Sequence, residues 1–170
     1  MPLEVTVRRA RTGDVEQIRR IVDLYATDRI LLAKDIVTLY EDVTDFAVAV
    51  DSKGTVVGCG AVHVMWEDIA EVRTLAVVPQ FRGRGIGRAL LSQLLETAAA
   101  LGVARVFCLT FEVAFFARQG FQLAGDLRVD EEVFAEMVRS SDEGIAEFLD
   151  LERVRPNTLG NTRMVFRIRS

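Results

Sequence analysis

The chain has 170 residues, half of them hydrophobic, and a formal net charge of −4 at pH 7. This length and apolar content are enough for one domain with its own core, so we expect a single domain over residues 1–170. The acidic balance argues against a nucleic-acid partner, and no apolar run approaches the length of a membrane span. Cys59 and Cys108 lie far apart in apolar runs and form no CxxC pair. They are expected to be core residues of a cytoplasmic protein without a signal peptide.

The first part of the chain predicts strands and amphipathic helices in alternation. Thr12 or Asp14 is expected to cap the first helix, whose apolar residues recur with helical spacing from Val15 to Tyr25. The turn at residues 51–54 predicts a β-hairpin. In order, the predicted elements are a strand at 5–9, helices at about 15–25 and 36–43, and strands at 46–50 and 55–65.

The second part begins with a strand at 71–77, a glycine-rich turn and a long helix that ends near Gly102. An acidic stretch at about 128–155 reads as a short helical insertion. The order of elements predicts an α/β (α+β) fold, with a mixed sheet and helices on both faces. The remaining predicted elements are a strand at 105–110, helices at 113–118, 130–139 and 145–149, and a last strand at 162–168.

Three glycines and three arginines crowd the turn that precedes the long helix. Gly83, Gly85 and Gly87 let the backbone approach a ligand closely, and Arg82, Arg84 and Arg88 place cations at a helix N-terminus, where the helix dipole disfavours them. This arrangement favours a bound polyanion. The spacing is neither the G-x-G-x-x-G of dinucleotide-binding folds nor the G-x-x-x-x-G-K-[ST] of a P-loop. The turn therefore predicts a phosphate site of another type.

The segment Gln80-x-x-Gly83-x-Gly85 resembles the Q/R-x-x-G-x-G/A signature of the GNAT acyltransferase superfamily. Residues 115–121 are similar to the F-Y-x-x-x-G-F segment of that family, with Phe116 in place of the tyrosine. Weaker similarities at residues 30–34, 57–61, 106–110 and 161–165 resemble short-form bacterial amino-acid N-acetyltransferases (N-acetylglutamate synthases). Together the similarities to the superfamily cover about residues 5–125. They imply a mainly antiparallel GNAT-like sheet and acetyl-CoA as cosubstrate, without a metal.

The resemblance implies that the glycine-rich turn holds the pyrophosphate of acetyl-CoA. The pantetheine arm is expected to pair with the backbone of Leu75 and Val77, as an added strand pairs with a sheet edge. The cofactor-binding residues predicted on this basis are Leu75, Ala76, Val77, Gln80, Arg82, Gly83, Arg84, Gly85, Ile86, Gly87, Arg88 and Phe116.

Acyl transfer to an amine requires a base, because an amino-acid amine is mostly protonated at pH 7. Glu71, expected at the start of the strand that leads into the turn, matches the catalytic glutamate of several GNAT enzymes. The alternative is an ordinary exposed residue at a strand start. Because the phenyl ring of Phe116 donates no proton, the thiolate either leaves unassisted or receives a hydrogen bond from Thr110. Thr110 is equally consistent with a plain strand end.

The carboxylates of an amino-acid acceptor require cations. Lys34 and Arg73 are the predicted substrate-binding residues, with Thr162 as a hydrogen-bond donor. Arg73 lies two residues from Glu71 and projects to the same face, so a salt bridge between them is the alternative. Lys34 is alternatively a surface residue. His63, the single histidine, is predicted to be a sheet-face residue rather than a base.

Three functions remain open from the sequence. The first is N-acetylation of L-glutamate or L-glutamine in arginine biosynthesis. The second is acetylation of another small amine or of a protein N-terminus. The third is a non-catalytic acyl-CoA-binding module. Exposed sheet edges and the acidic insertion make a homodimer an expectation. Nothing in the cysteine neighbourhoods favours a covalent acyl-cysteine intermediate.

Overall fold

The computed structural model of the protein describes residues 4–28, 30–31, 33–125, 127–150 and 161–169. The strands are β1 (Val5–Arg9), β2 (Phe46–Asp51), β3 (Val56–Trp66), β4 (Ile69–Val77), β5 (Arg105–Thr110), β6 (Gln122–Leu123) and β7 (Thr162–Arg167). The α-helices are α1 (Val15–Ala26), α2 (Ile36–Glu41), α3 (Ile86–Ala100), α4 (Val113–Arg118), α5 (Glu131–Met137) and α6 (Glu143–Phe148). Among the described residues, none of the helices combines the length and hydrophobicity that crossing a bilayer requires.

The strands form one sheet in the order β1-β2-β3-β4-β5-β7-β6. Among the described strands, only the β4–β5 pair is parallel, and the other neighbouring pairs are antiparallel. The parallel pair is the one joined through a long helix, α3, as a parallel connection requires. The predicted mixed, mainly antiparallel sheet is confirmed.

The two faces of the sheet bury different helices. In β2, Phe46 and Val48 pack with the apolar side of α1, whereas Ala47 and Ala49 pack with α3 on the opposite face. This alternation follows from the two-residue period of a strand. The predicted helices on both faces are therefore confirmed.

Two local predictions were wrong, and one short strand was missed. The fourth strand begins at Ile69, so Glu71 is its third residue and is buried rather than exposed at a strand start. Neither Thr12 nor Asp14 caps α1 with its side chain. The Asp14 carboxylate instead accepts hydrogen bonds from the Arg11 backbone N–H and the Arg8 guanidinium. The short edge strand β6 has too little alternation to be seen in the sequence.

The acidic insertion packs against one end of the sheet. Met137 of α5 and Ile145 and Phe148 of α6 share a buried cluster with Ile69 and Phe107. The Phe148 ring meets the Phe107 ring edge-on, with 5.2 Å between centroids. Both predicted short helices are present within the insertion, whose predicted end at 155 lies outside the described residues. The insertion thus covers the region where β4 and β5 are still paired.

Candidate active site

β4 and β5 pair only at their beginnings and then separate. The pairing runs from Ile69 with Arg105 to Glu71 with Phe107, and β5 then continues without β4. Just beyond that point Thr74 has φ 57°, a left-handed conformation that a β-branched residue rarely adopts. The β3–β4 register shifts by one residue at the same place, as in a β-bulge. The sheet therefore opens between β4 and β5, and two cavities meet there.

The first cavity, of about 530 Å³, lies along the separated part of β4 and reaches the glycine-rich turn. Gly83 and Gly85 have φ of 75° and 80°, so both use the left-handed region that glycine allows without strain. Gly85 directly precedes α3, whose first-turn N–H groups lack partners within the helix. With Arg82 and Arg88 in its wall, this end of the cavity has the groups needed to bind a diphosphate.

Most of the predicted cofactor residues lie in the wall of this cavity, which we call the cofactor cavity. They are Leu75, Ala76, Val77, Arg82, Gly83, Gly85, Ile86, Gly87, Arg88 and Phe116. Gln80 and Arg84 are exposed and lie outside that wall, and the Arg84 guanidinium sits 5.4 Å from the centroid of the Phe81 ring. Arg82 lies over Tyr25, whose hydroxyl donates a hydrogen bond to the Val77 carbonyl.

Thr110 and Phe116 occupy the far wall of the cofactor cavity. The Thr110 hydroxyl oxygen accepts a hydrogen bond from the Glu112 N–H at 2.8 Å. An oxygen that accepts one bond still carries a proton to donate, so Thr110 keeps its predicted capacity to hydrogen-bond a thiolate. Phe116 is buried edge-on between Phe115 and Phe121, which makes it a packing residue in this wall.

The second cavity, of about 780 Å³, lies at the insertion end of the opening, and we call it the acceptor cavity. Arg73, Thr74 and Leu109 line both cavities, so the two spaces share a wall. Glu71 and Lys34 line the acceptor cavity, as does Asp142 from the insertion.

Glu71, Arg73 and Asp142 form one buried ionic network. Arg73 donates two hydrogen bonds to the Asp142 carboxylate, at 2.8 and 2.9 Å, and its Nη2 lies 3.1 Å from Glu71 Oε2. That approach to Glu71 lacks hydrogen-bond geometry, since Oε2 has no hydrogen-bond partner among the described residues. At 3.1 Å the contact is nevertheless an ion pair, so the predicted alternative for Arg73, a salt bridge to Glu71, is present.

The electrostatics of this network differ from residue to residue. Burial raises the pKa of the Glu71 carboxyl above its ordinary value, and the Arg73 charge only partly opposes this. Burial acts in the same direction on Asp142, but the Arg73 hydrogen bonds outweigh it and lower the pKa of Asp142 to about 2. Glu71 is thus the stronger base of the two, which suits a group that must take a proton near neutral pH.

Gly144 of α6 closes the space behind Glu71. A Cβ added at this glycine would lie 2.0 Å from Glu71 Oε2 and 3.0 Å from Arg73 Nη2. Real Cβ atoms do not approach other atoms so closely, so only glycine permits α6 to come this near. The insertion therefore presses its backbone directly on the carboxylate.

Lys34 lies in the acceptor cavity and is half-buried. Burial, followed by the Arg73 charge, lowers the pKa of its ammonium, while Asp142 and Glu71 act in the opposite direction. Thr162 pairs with Thr110 at the ends of β7 and β5, and its neighbour Asn161 lines the cavity instead. Asn161 Oδ1 is buried and has no hydrogen-bond partner among the described residues.

His63 lies in β3, as predicted, and also lines the acceptor cavity. Its Nδ1 is 2.7 Å from Asp45 Oδ2, and its Nε2 is 3.9 Å from Asp142 Oδ1. One carboxylate oxygen each of Asp42 and Asp45 and one ring nitrogen of His63 lie within 4.8 Å of one another, close enough to be considered as a metal site. The 2.7 Å contact is a hydrogen bond that a cation would have to break, so we read the group as an imidazole–carboxylate pair.

Both cysteines are buried free thiols. Burial raises the pKa of Cys59 to about 12, and burial raises that of Cys108 as well. Among the described residues that line the two cavities, neither cysteine is found, and a protonated thiol is a poor nucleophile. This favours direct transfer to the acceptor over an acyl-cysteine intermediate.

Sequence reasoning missed Asp142, Gly144, Asp45 and Asn161. Asp142, Gly144 and Asp45 act through contacts across more than fifteen residues of chain, which local patterns do not reveal. Asn161 joins the cavity because β7 begins there. One signal was available: Asp142 begins a short acidic segment, Asp142-Glu143-Gly144, in which a glycine enters an otherwise helical pattern.

The described geometry agrees with comparisons to known proteins. Residues 16–121 match the Acetyltransferase (GNAT) family. The chain belongs to the GNAT family. It is an acetyl-CoA-dependent N-acetyltransferase with a mixed α/β GNAT fold.

A relative and a solved structure are similar in sequence to this chain over nearly its whole length. An amino-acid acetyltransferase of Mycobacterium tuberculosis is 56% identical over 161 residues, which are 94% of this chain and 92% of the relative. The crystal structure of Rv2747 from Mycobacterium tuberculosis in complex with CoA and NLQ is 54% identical, with a TM-score of 0.92 over 96% of this chain and 99% of that chain.

A more distant structure shows the fold alone. N-acetylglutamate synthase from Neisseria gonorrhoeae, complexed with coenzyme A and N-acetyl-glutamate, has a TM-score of 0.78 at 24% identity. The match covers 98% of this chain but 36% of that one. The GNAT enzyme described here thus corresponds to about one third of that longer protein.

Proposed function

We propose that this GNAT enzyme transfers acetyl from acetyl-CoA to the α-amine of L-glutamate or L-glutamine. The observation that carries the proposal is the buried Glu71 carboxylate in an acceptor cavity that shares a wall with the cofactor cavity. The similarity to an amino-acid acetyltransferase over nearly the whole chain supports the choice of acceptor class.

The reaction converts an ammonium and a thioester into an amide, a thiol and one proton. The acceptor nitrogen loses two protons, one before and one after the C–N bond forms, and the C–S bond then breaks. Glu71 is the carboxylate placed to accept a proton from this nitrogen, because burial raises its pKa. The thiolate leaves towards Thr110, whose hydroxyl stabilises it by a hydrogen bond.

The α-carboxylate of the acceptor needs a cation in the acceptor cavity. Arg73 is engaged by both Glu71 and Asp142, so Lys34 is the cation that we assign to the acceptor carboxylate. Arg73 then acts mainly by holding Glu71 and Asp142 in place. Asn161, with its unpartnered Oδ1, offers an acceptor for an N–H group of the substrate, and Thr162 supports that end of β7.

The charge of the cavity wall bears on the side chain of the acceptor. Eight carboxylates face three lysine or arginine side chains in the wall. A second carboxylate on the substrate adds to this acidic excess, whereas an amide does not. We therefore favour L-glutamine over L-glutamate. With glutamate as acceptor, the product is N-acetylglutamate, the first intermediate of arginine biosynthesis in the enzymes that this chain resembles.

An acceptor screen tests the proposal. Purified enzyme with acetyl-CoA is assayed for CoA release with each amino acid and with a short peptide bearing a free N-terminus. We expect the largest kcat/KM for L-glutamine, followed by L-glutamate, and no turnover of the peptide because the insertion covers the cavity. Binding of acetyl-CoA without turnover of any amine would contradict the proposal and favour a non-catalytic role.

A further inference from the structure

We propose that His63, oriented by Asp45, is a second proton-accepting residue of the acceptor cavity, which deprotonates the incoming ammonium before it attacks. This inference builds on the proposed amino-acid acetyltransferase activity. It assigns the two protons of the acceptor nitrogen to two different groups.

The geometry fixes the role of each imidazole nitrogen. Asp45 Oδ2 lies 2.7 Å from Nδ1, so the carboxylate accepts the Nδ1 proton and leaves Nε2 with a free lone pair. His63 and Asp142 both line the acceptor cavity, and Nε2 lies 3.9 Å from Asp142 Oδ1. That distance exceeds a hydrogen bond, so Asp142 does not occupy Nε2.

His63 and Glu71 are neighbours across the β3–β4 ladder. The two residues face each other directly in the antiparallel register. Directly opposite side chains on one face have Cβ atoms about 5 Å apart, so both groups reach one bound nitrogen. Only 7% of the Glu71 side chain is exposed, against 25% for His63. His63 is therefore the group with the better route for releasing a proton to water.

The other charged groups around His63 are consistent with this role. Asp45 and Asp42 approach from the turn before β2, Asp142 from the insertion, and Glu71 and Arg73 from β4. Of these groups Arg73 is the one cation, and it already makes ion pairs with Glu71 and Asp142.

The step balances in protons and charge. The ammonium gives its proton to Nε2, which yields a neutral amine and an imidazolium. The amine attacks the thioester, and Glu71 takes the second proton from nitrogen once the C–N bond has formed. The C–S bond then breaks, and the proton held by Glu71 passes to the departing thiolate, which yields the thiol and restores the Glu71 carboxylate. The imidazolium returns its proton to water before the next turnover. The net release of one proton per amide is preserved.

The single histidine makes a direct test possible, because the protein has one imidazole to observe. Nitrogen-15 NMR of the wild type is expected to show the tautomer with a protonated Nδ1, and Asp45→Asn is expected to abolish that preference. A wild-type tautomer with the proton on Nε2 would overturn the proposal.

Two variants separate the first proton from the second. His63→Gln is expected to lower kcat/KM for the acceptor at pH 7 by at least about 100-fold, with the dissociation constant of CoA unchanged. Alkaline buffer is expected to restore much of this loss, since the amine then arrives without its extra proton. Glu71→Gln is expected to remain impaired in alkaline buffer, because its proton is lost only after attack.

The controls keep the outcome interpretable. Asp68→Asn breaks a similar carboxylate contact, with Arg105, outside the acceptor cavity and is expected to leave the pH profile unchanged. A wild-type profile for His63→Gln, or a loss of activity that alkaline buffer does not relieve, would overturn the role of His63. If the wild type itself turned over no amino acid, the proposed function would fail instead.

Discussion

Glu71 combines a cost in stability with the catalytic role that we propose for it. Its carboxyl is buried, and the burial raises its pKa despite the nearby Arg73. A raised pKa in the folded state means that ionising this group above its unfolded pKa destabilises the fold. The same feature makes it a base at neutral pH.

Replacing Glu71 by Gln should therefore separate activity from stability. We expect kcat to fall at least about 100-fold, with the dissociation constant of CoA unchanged. At pH 7 we expect a higher melting temperature than wild type, because the buried charge is removed, and this advantage should vanish as pH falls below the unfolded pKa of glutamate. Turnover like that of the wild type would remove Glu71 from catalysis.

Arg82 and Arg84 form a matched pair for testing the cofactor cavity. Arg82 lines the cavity, whereas Arg84 is exposed outside it. Arg82→Gln is expected to weaken CoA binding about tenfold, or about 1.4 kcal/mol, through loss of one charge-assisted contact. Isothermal titration with CoA should show a smaller effect for Arg84→Gln. Equal effects would contradict the placement of the diphosphate beside Arg82.

At the scale of elements, the position of α6 depends on Gly144. Gly144→Ala would force its Cβ against Glu71 Oε2, so α6 must shift or the carboxylate must turn. We expect a loss of about 1–3 kcal/mol in the free energy of unfolding, as for other overpacked sites, together with a lower kcat.

Gly13→Ala is the matched control for this substitution, since its Cβ would meet nothing within 4 Å. Urea unfolding of both variants measures the difference. Equal stability of the two variants would show that α6 does not press on Glu71.

The elements themselves were largely predictable, and the reasons are local. The strand at 105–110 and the helix at 113–118 were predicted with the bounds that the structure has, because a continuous apolar run and a helical apolar spacing announce them. The bulge at Thr74 was not predictable, because neither threonine nor its neighbours favour a positive φ. The ion pair of Arg73 with Asp142 spans 69 positions and has no local signature.

The candidate site divides in the same way. The cofactor cavity was predictable from one contiguous turn, since its backbone and arginines are sequence neighbours. The acceptor cavity is assembled from side chains distant in sequence, among them residues of β3, β4, the segment before α2 and the insertion. Glu71, Arg73 and Lys34 were predicted from the family resemblance together with the need for a base and for cations. His63 was placed on the correct strand, but its partner Asp45 comes from a turn eighteen residues earlier.

At the scale of the whole molecule, the buried network makes the free energy of unfolding depend on pH. The pKa of Asp142 is lowered to about 2 by Arg73, so its ion pair stabilises the fold above the unfolded pKa of about 3.8 and is lost as pH falls through about 2. This difference corresponds to about 2 kcal/mol at neutral pH. The lowered pKa of Asp14, which Arg8 binds, adds a dependence of the same sign.

Asp142→Asn tests this dependence, because asparagine still caps α6 but carries no charge. We expect the variant to be about 2 kcal/mol less stable than wild type at pH 7 and nearly equal to it at pH 2. Urea titrations at several pH values measure the difference. A gap that stayed constant with pH would show that the charge of Asp142 contributes nothing.

The insertion and the glycine-rich turn are separate stretches of chain, and the two cavities that they border share Arg73, Thr74 and Leu109 in their walls. The sequence of the insertion can therefore change during evolution while the glycine-rich turn at the cofactor cavity stays the same. We expect a chimera with residues 128–150 replaced by those of a relative with a different acceptor specificity to acetylate a different acceptor. Acetyl-CoA would remain its donor. Acceptor choice and coenzyme binding would then be separable properties of this fold.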